Sequence, residues 1–117
     1  MKKILIVDDS SVSRKMLRKL LETEGFEVIG EAVNGREGYE QYKKLSPDVV
    51  TMDITMPEMN GMEALKLIKE YDEGAKVVLI TAAGQDEKKN MAKELGAVHF
   101  LSKPFNNTDI VDAINRI

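Results

Sequence analysis

The sequence has 117 residues, 43% of them hydrophobic and 32% charged, the balance of a single globular domain over 1–117 rather than a disordered or fibrous chain. Lys+Arg 17 against Asp+Glu 20 gives −3 at pH 7, without the basic footprint expected of a nucleic-acid binder. With no cysteine and one histidine, disulfides, thiolate catalysis and Cys-based metal sites are excluded, and a His-rich site is not expected.

The chain alternates strand-like and helix-like patterns from end to end. Ile4 to Val7 is a short β-branched run of the kind buried in a parallel sheet. It stops at two aspartates, too short for a secretion signal, and no stretch approaches the ~20 apolar residues of a membrane span. A cytoplasmic location with no membrane partner is therefore expected. Ser11 to Glu24 reads as a helix with Val12, Met16, Leu17, Leu20 and Leu21 on one face, and Arg14, Lys15, Arg18 and Lys19 as a solvated basic face, ended by Gly25. Phe26 to Gly30 is a second strand. Arg36 to Leu45 is a helix with Tyr39 and Tyr42 on one face. Pro47 precedes a strand over Asp48 to Met52, and Met62 to Tyr71 is a helix with Leu65 and Ile68 inward. Lys76 to Ile80 is the fourth strand and Asp86 to Leu95 a more polar helix stopped by Gly96. Val98 to Leu101 is the fifth strand, and Asn107 to Ile117 the last helix. Five strands alternating with five helices predict an α/β fold with a parallel sheet and right-handed crossovers.

In such a sheet, chemistry gathers beyond the carboxyl ends of the strands. Asp8 and Asp9 follow the first strand, Asp53 the third, Thr81 the fourth and Lys103 the fifth. Alone, Asp9 or Ser10 is best read as a helix cap and Thr81 as a turn residue. Together they bring three carboxylates, a hydroxyl and an ammonium to one edge. Converging carboxylates repel unless cations offset them. Lys103 is one such cation and a hard divalent ion the other. Magnesium suits a few carboxylates plus water, whereas calcium would favour an Asp/Asn-rich loop that is absent. Such a set is equipped for phosphoryl transfer to an aspartate.

The residues Asp8-Asp9, Asp53 followed by Met56-Pro57, Asn60-Gly61, Thr81-Ala82 and Lys103-Pro104-Phe105, in order from Lys3 to Ile117, resemble the receiver domain of two-component response regulators, in particular stand-alone chemotaxis-type receivers. That resemblance implies a flavodoxin-like (βα)5 sandwich with strand order 2-1-3-4-5. It implies Asp53 as phosphoacceptor, and Mg²⁺ held by Asp9, Asp53 and the Thr55 carbonyl with Asp8 close by. Lys103, Thr81 and Ala82 would meet the phosphoryl group, Thr81 as the switch hydroxyl with Phe100 as its aromatic partner. The Lys103–Pro104 peptide is expected to be cis. The implied donor is a sensor histidine kinase or histidine phosphotransfer protein. The implied output is a downstream protein read through the fourth helix, fifth strand and fifth helix, with the chain a monomer that catalyses only its own phosphorylation and dephosphorylation.

Phe100 stands where the family often has tyrosine or phenylalanine; lacking a hydroxyl, its movement would rest on apolar burial without a terminal hydrogen bond. It is equally a plain strand residue at the core. His99 reads as an exposed strand-edge side chain. Met52, Met56, Met59 and Met62 read as core and loop filling. Asn60-Gly61 reads as a turn into a helix rather than a hairpin. The resemblance also implies that the residues two after the acceptor and two after the switch threonine tune water access. Here Thr55 and Ala83 cannot orient water as an acid or amide would, so self-dephosphorylation is expected to be slower than in Thr55→Asn. Three rivals fit less well. A dehalogenase-type phosphatase wants an acid where Thr55 stands, and a cap domain. A flavin-binding relative would need a phosphate-cradling loop where Asp8-Asp9 repel phosphate. A receiver-like adaptor that never takes phosphate would not need Asp9, Asp53, Thr81 and Lys103 together.

Overall fold

Five short apolar runs become five parallel strands because each is followed by an amphipathic helix that carries the chain back across the sheet. The computed structural model describes residues 2–56, 58–81, 87–103 and 106–117. In chain order the elements are β1 (Lys3–Val7), α1 (Ser11–Thr23), β2 (Glu27–Ala32), α2 (Gly35–Leu45), β3 (Val49–Asp53), α3 (Gly61–Tyr71), β4 (Val77–Thr81), α4 (Lys88–Glu94), β5 (His99–Ser102) and α5 (Asn107–Asn115). The sheet order is β2-β1-β3-β4-β5, with parallel pairing throughout. This is the expected flavodoxin-like order, and it reverses direction between β1 and β3, where a crevice opens at the carboxyl edge.

Alternation along the strands feeds two cores. Leu5, Val7, Val50, Met52, Val77 and Leu79 pack under α2, α3 and α4. Ile4, Ile6, Val49, Val78 and Ile80 pack under α1 and α5 with Leu21, Ile110 and Ile114. Met52, Met56 and Met62 are buried in the first core and Met59 packs against it, as expected of filling residues. Asparagine or serine caps four helix N-termini: Ser10, Asn34, Asn60 and Asn106 each accept a backbone N–H from the first turn. Asn60 and Asn106 form full capping boxes with Glu63 and Asp109. Gly25 (φ 91°) and Gly96 (φ 98°) take the left-handed conformation just past α1 and α4, as their positions predict. By contrast, among the described residues α4 has no side-chain cap, Glu87 at its N-cap position making none. The predicted start of that helix at Asp86 lies outside the described residues.

Three expectations are corrected. Val12 and Met16 are 67% and 68% exposed rather than core-facing. Val12 and Leu21 are nine residues apart, about 180° round a helix of 3.6 residues per turn, so they lie on opposite sides. Only Leu21 is fully buried in α1, with Leu17 and Leu20 half-buried beside it. The same geometry turns Arg14 toward the sheet, so Arg14 and Arg18 are not a solvated face while Lys15 and Lys19 are exposed. His99, expected to be exposed, is half-buried within β5.

Candidate functional site

Strands β3 and β4 each run one residue beyond the predicted ends, so Asp53 and Thr81 are the last residues of the ladder rather than the first of a loop. Asp53 pairs with Ile80 and Thr81 with Ser102. The Ile54 amide donates to the Ile80 carbonyl at 2.9 Å, and the Lys103 amide to the Thr81 carbonyl at 2.7 Å. The sheet thereby holds the backbone on both sides of each chemically equipped residue.

At the end of β1, the Asp8 amide donates to the Ala32 carbonyl at 3.0 Å. The Asp8 carboxylate accepts the Ser10 amide at 2.9 Å. Ser10 supplies the α1 cap through its hydroxyl, and Asp9 therefore does not serve as the cap. One carboxylate oxygen from each of Asp8, Asp9 and Asp53 lies within 4.8 Å of the other two. Asp8 is buried, Asp53 half-buried and Asp9 exposed, so the cluster opens outward through Asp9. Lys103 Nζ stands 3.9 Å from Asp53 Oδ2. Burial pushes the Asp53 carboxyl above its ordinary pKa, and the charge of Asp8 pushes it further. Lys103 and the Thr55 amide, at 3.4 Å, pull it back, a smaller repulsion from Asp9 adds to the rise, and the net direction is upward. An all-oxygen donor set under this mutual repulsion fits a hard divalent ion.

The loop after β3 is seated by glycine. A Cβ on Gly61 would lie 2.3 Å from the Asp53 carbonyl oxygen, so only glycine lets α3 begin against the end of β3. Its amide donates to the Ile54 carbonyl at 2.8 Å, and the Gly35 amide at the start of α2 donates to the Met59 carbonyl at 2.8 Å. Asn60-Gly61 is thus a turn into a helix, as expected.

The structure brings Asp8, Asp9, Asp53 and Lys103 together. Thr55 follows at the exposed start of the loop. Thr81 is fully buried. Alternation along β4 sets it on the face of Leu79, toward the α2–α3–α4 layer, where Phe100 is packed against the core. Ala82 and Ala83, and with Pro104 the cis peptide, lie outside the described residues. Beside the site a groove of ≈ 790 Å³ is lined by Asp8 and Lys103 together with Met16, Leu17 and Leu20 of α1. Sequence reasoning missed Arg14 and Glu31. Arg14 Nε donates to Glu31 Oε1 at 3.1 Å and its Nη1 to the Asp8 carbonyl at 2.7 Å. The one sequence signal was an arginine within the arc of α1 that faces the sheet.

Residues 4–115 match the family model described as the response regulator receiver domain. The chain is 48% identical over 116 residues to the chemotaxis protein CheY of Thermotoga maritima, covering 99% of this chain and 97% of that protein. It is 47% identical over 114 residues to the chemotaxis protein CheY of Bacillus subtilis, covering 97% and 95%. Among solved structures, a chain of the CheX-CheY-BeF3-Mg+2 complex from Borrelia burgdorferi matches with a TM-score of 0.94 at 35% identity, over 98% of this chain and 87% of that one.

Proposed function

The chain belongs to the response regulator receiver domain family, and on that premise we propose that it takes a phosphoryl group onto Asp53 from the phosphohistidine of a sensor histidine kinase or histidine phosphotransfer protein. The observation that carries this reading is the clustering of three carboxylates within 4.8 Å, with an ammonium 3.9 Å from the half-buried member. An Asp53 oxygen attacks phosphorus in line, the P–N bond breaks, and the imidazole nitrogen leaves with the electron pair. Asp53 suits this role because the ladder holds its backbone and its carboxylate meets both the cluster and Lys103. Lys103 pairs with the transferred phosphoryl oxygens. Asp9, Asp53 and the Thr55 carbonyl, with Asp8 beside them, would hold Mg²⁺, which supplies positive charge for the equatorial oxygens.

The output follows from Thr81 and Phe100, which share one face of β4 and β5. Phosphate on Asp53 would draw the Thr81 hydroxyl toward it by a charge-assisted hydrogen bond. Phe100 would then move into the space vacated, and the α4–β5–α5 surface would change for a downstream protein. This is a shift between two populated arrangements rather than a new fold. The chain would act in the cytoplasm as a monomer without binding nucleic acid.

Incubation with acetyl phosphate and Mg²⁺ tests the reading by intact mass. Wild type should gain one phosphoryl mass only with Mg²⁺, and Asp53→Asn should gain none. An equal gain in the variant would remove Asp53 from the role.

A further inference from the structure

We propose that Arg14, oriented by Glu31, is a positioning residue that holds the Asp8–Asp9 turn in the geometry the acidic cluster needs. The inference rests on the reading that this cluster holds Mg²⁺.

It begins with an irregularity in β2. Ile4 pairs with Val28, but Leu5 pairs with Gly30, so the register shifts by one residue between them. Regular alternation from Val28 would turn Glu31 to the α2 side. The shift pairs Glu31 with Ile6 instead, and Ile6 belongs to the core under α1 and α5. A one-residue slip exchanges the faces of every residue beyond it. It puts a carboxylate beneath α1, where Arg14 and Arg18 meet it.

Glu31 is then used from both sides. Its Oε2 accepts Arg18 Nη1 at 2.5 Å and its Oε1 accepts Arg14 Nε at 3.1 Å. The Arg14 side chain is 15% exposed. With Nε fixed, the planar guanidinium aims Nη1 at the Asp8 carbonyl. That carbonyl needs a partner. The Asp8 amide takes the Ala32 carbonyl, where β2 ends, so the strand offers nothing further along to the Asp8 carbonyl. Arg14 supplies the missing donor, so Asp8 is held through its N–H by Ala32 and the following Asp8–Asp9 peptide through its C=O by Arg14. The Asp8 and Asp9 carboxylates leave the chain at this peptide, so its orientation sets theirs.

Charge and position act on the metal site with opposite signs. A guanidinium beside three carboxylates repels a second cation, so losing its charge alone would tighten Mg²⁺ binding. Losing its grip on the turn would weaken binding, and outer-shell partners typically account for 10–100-fold in metal affinity.

The test uses wild type, Arg14→Gln, Arg14→Lys, Glu31→Gln and the exposed-charge control Lys15→Gln, each well below its unfolding temperature. Amide exchange at Asp8 and Ser10 is followed by NMR without metal, and Mg²⁺ is then titrated. In Arg14→Gln these two amides should exchange about tenfold faster and the Mg²⁺ Kd should rise about tenfold. Arg14→Lys should behave alike, because an ammonium lacks the fork. Glu31→Gln should move both readouts in the same direction by less, and it decides the matter if Arg14→Gln does not fold. Lys15→Gln should leave exchange unchanged and binding equal or slightly tighter. Unchanged exchange, or Mg²⁺ affinity equal to or tighter than wild type in Arg14→Gln, overturns the proposal. If wild type itself shows no Mg²⁺ shifts at Asp9 and Asp53, the metal reading fails, while the metal-free exchange still decides whether Arg14 holds the turn.

Discussion

The amide of Lys103 donates to the carbonyl of Thr81 at 2.7 Å, so the residue bearing the ammonium and the residue bearing the buried hydroxyl share one backbone link across β4 and β5. Any displacement of Thr81 is passed to the start of the loop after β5 without an intervening side chain. Beryllofluoride should therefore shift amides beyond the loops of Asp9 and Asp53, into Val98 to Lys103. In Thr81→Ala those distant shifts should shrink while those near Asp53 persist. Shifts confined to the Asp9 and Asp53 loops in wild type would mean that this edge does not carry the signal.

The raised pKa of Asp53 makes the wild-type site a cost to folding. Between the ordinary carboxylate value and the raised folded value, the native chain binds more protons than the unfolded one. Stability contributed at this position therefore falls as pH rises through that window. The charged carboxylate, half-buried beside Asp8, is the form that burial and repulsion disfavour. Asp53→Asn should raise Tm at pH 7 in the absence of Mg²⁺, and the gain should fade below about pH 4, where the acid is protonated in both states. Added Mg²⁺ should raise the Tm of wild type more than that of Asp53→Asn. A lower Tm for the variant at pH 7 would show that Lys103 outweighs burial and Asp8.

The acidic cluster was legible in the sequence because a parallel sheet delivers all its strand ends to one edge. Asp8 and Asp53 sit directly after an apolar run, and Asp9 and Lys103 one residue further on, and the runs were plain. The Arg14–Glu31 link was not legible. It depends on a register shift in β2 that comes from pairing with β1. Gly30, a glycine inside a strand, is a local mark of a bulge, but it does not say on which face Glu31 lands. The burial of α1 was misread for a different reason. Val12 and Met16 are apolar, but their angular position on the helix, not their composition, decides which way they face.

Thr51 pairs with Ile6 and Val78 in the middle of the sheet and is 1% exposed. Its hydroxyl has no hydrogen-bond partner among the described residues. A buried hydroxyl without a partner costs about 1–3 kcal/mol, and valine has nearly the same shape. Thr51→Val should raise the urea midpoint by an amount equivalent to about 1 kcal/mol, whereas Thr51→Ser, which keeps the hydroxyl and loses the methyl, should lower it. A less stable Thr51→Val would mean that the hydroxyl is satisfied in solution.

Gly61 links packing to chemistry. A methyl there would sit 2.3 Å from the Asp53 carbonyl oxygen and 2.9 Å from Ile54 Cα. Both are backbone atoms and neither can rotate aside, so α3 must retreat or the end of β3 must shift. Retreat breaks the hydrogen bond that the Gly61 amide donates to the Ile54 carbonyl, and a shift of β3 carries the Asp53 carboxylate away from Asp8, Asp9 and Lys103. Overpacking of this kind costs roughly 1–3 kcal/mol, and misplacing a reacting group by about 1 Å costs up to 100-fold in rate. Gly61→Ala should therefore lose stability and also slow phosphorylation by acetyl phosphate about tenfold or more under conditions where it is fully folded. Gly74→Ala is the control. Its Cβ would meet only the Asp72 side chain, at 3.4 Å, and both its stability and its rate should match wild type. If Gly61→Ala were destabilised but phosphorylated at the wild-type rate, α3 would have given way alone, and this glycine would serve packing without holding the acceptor.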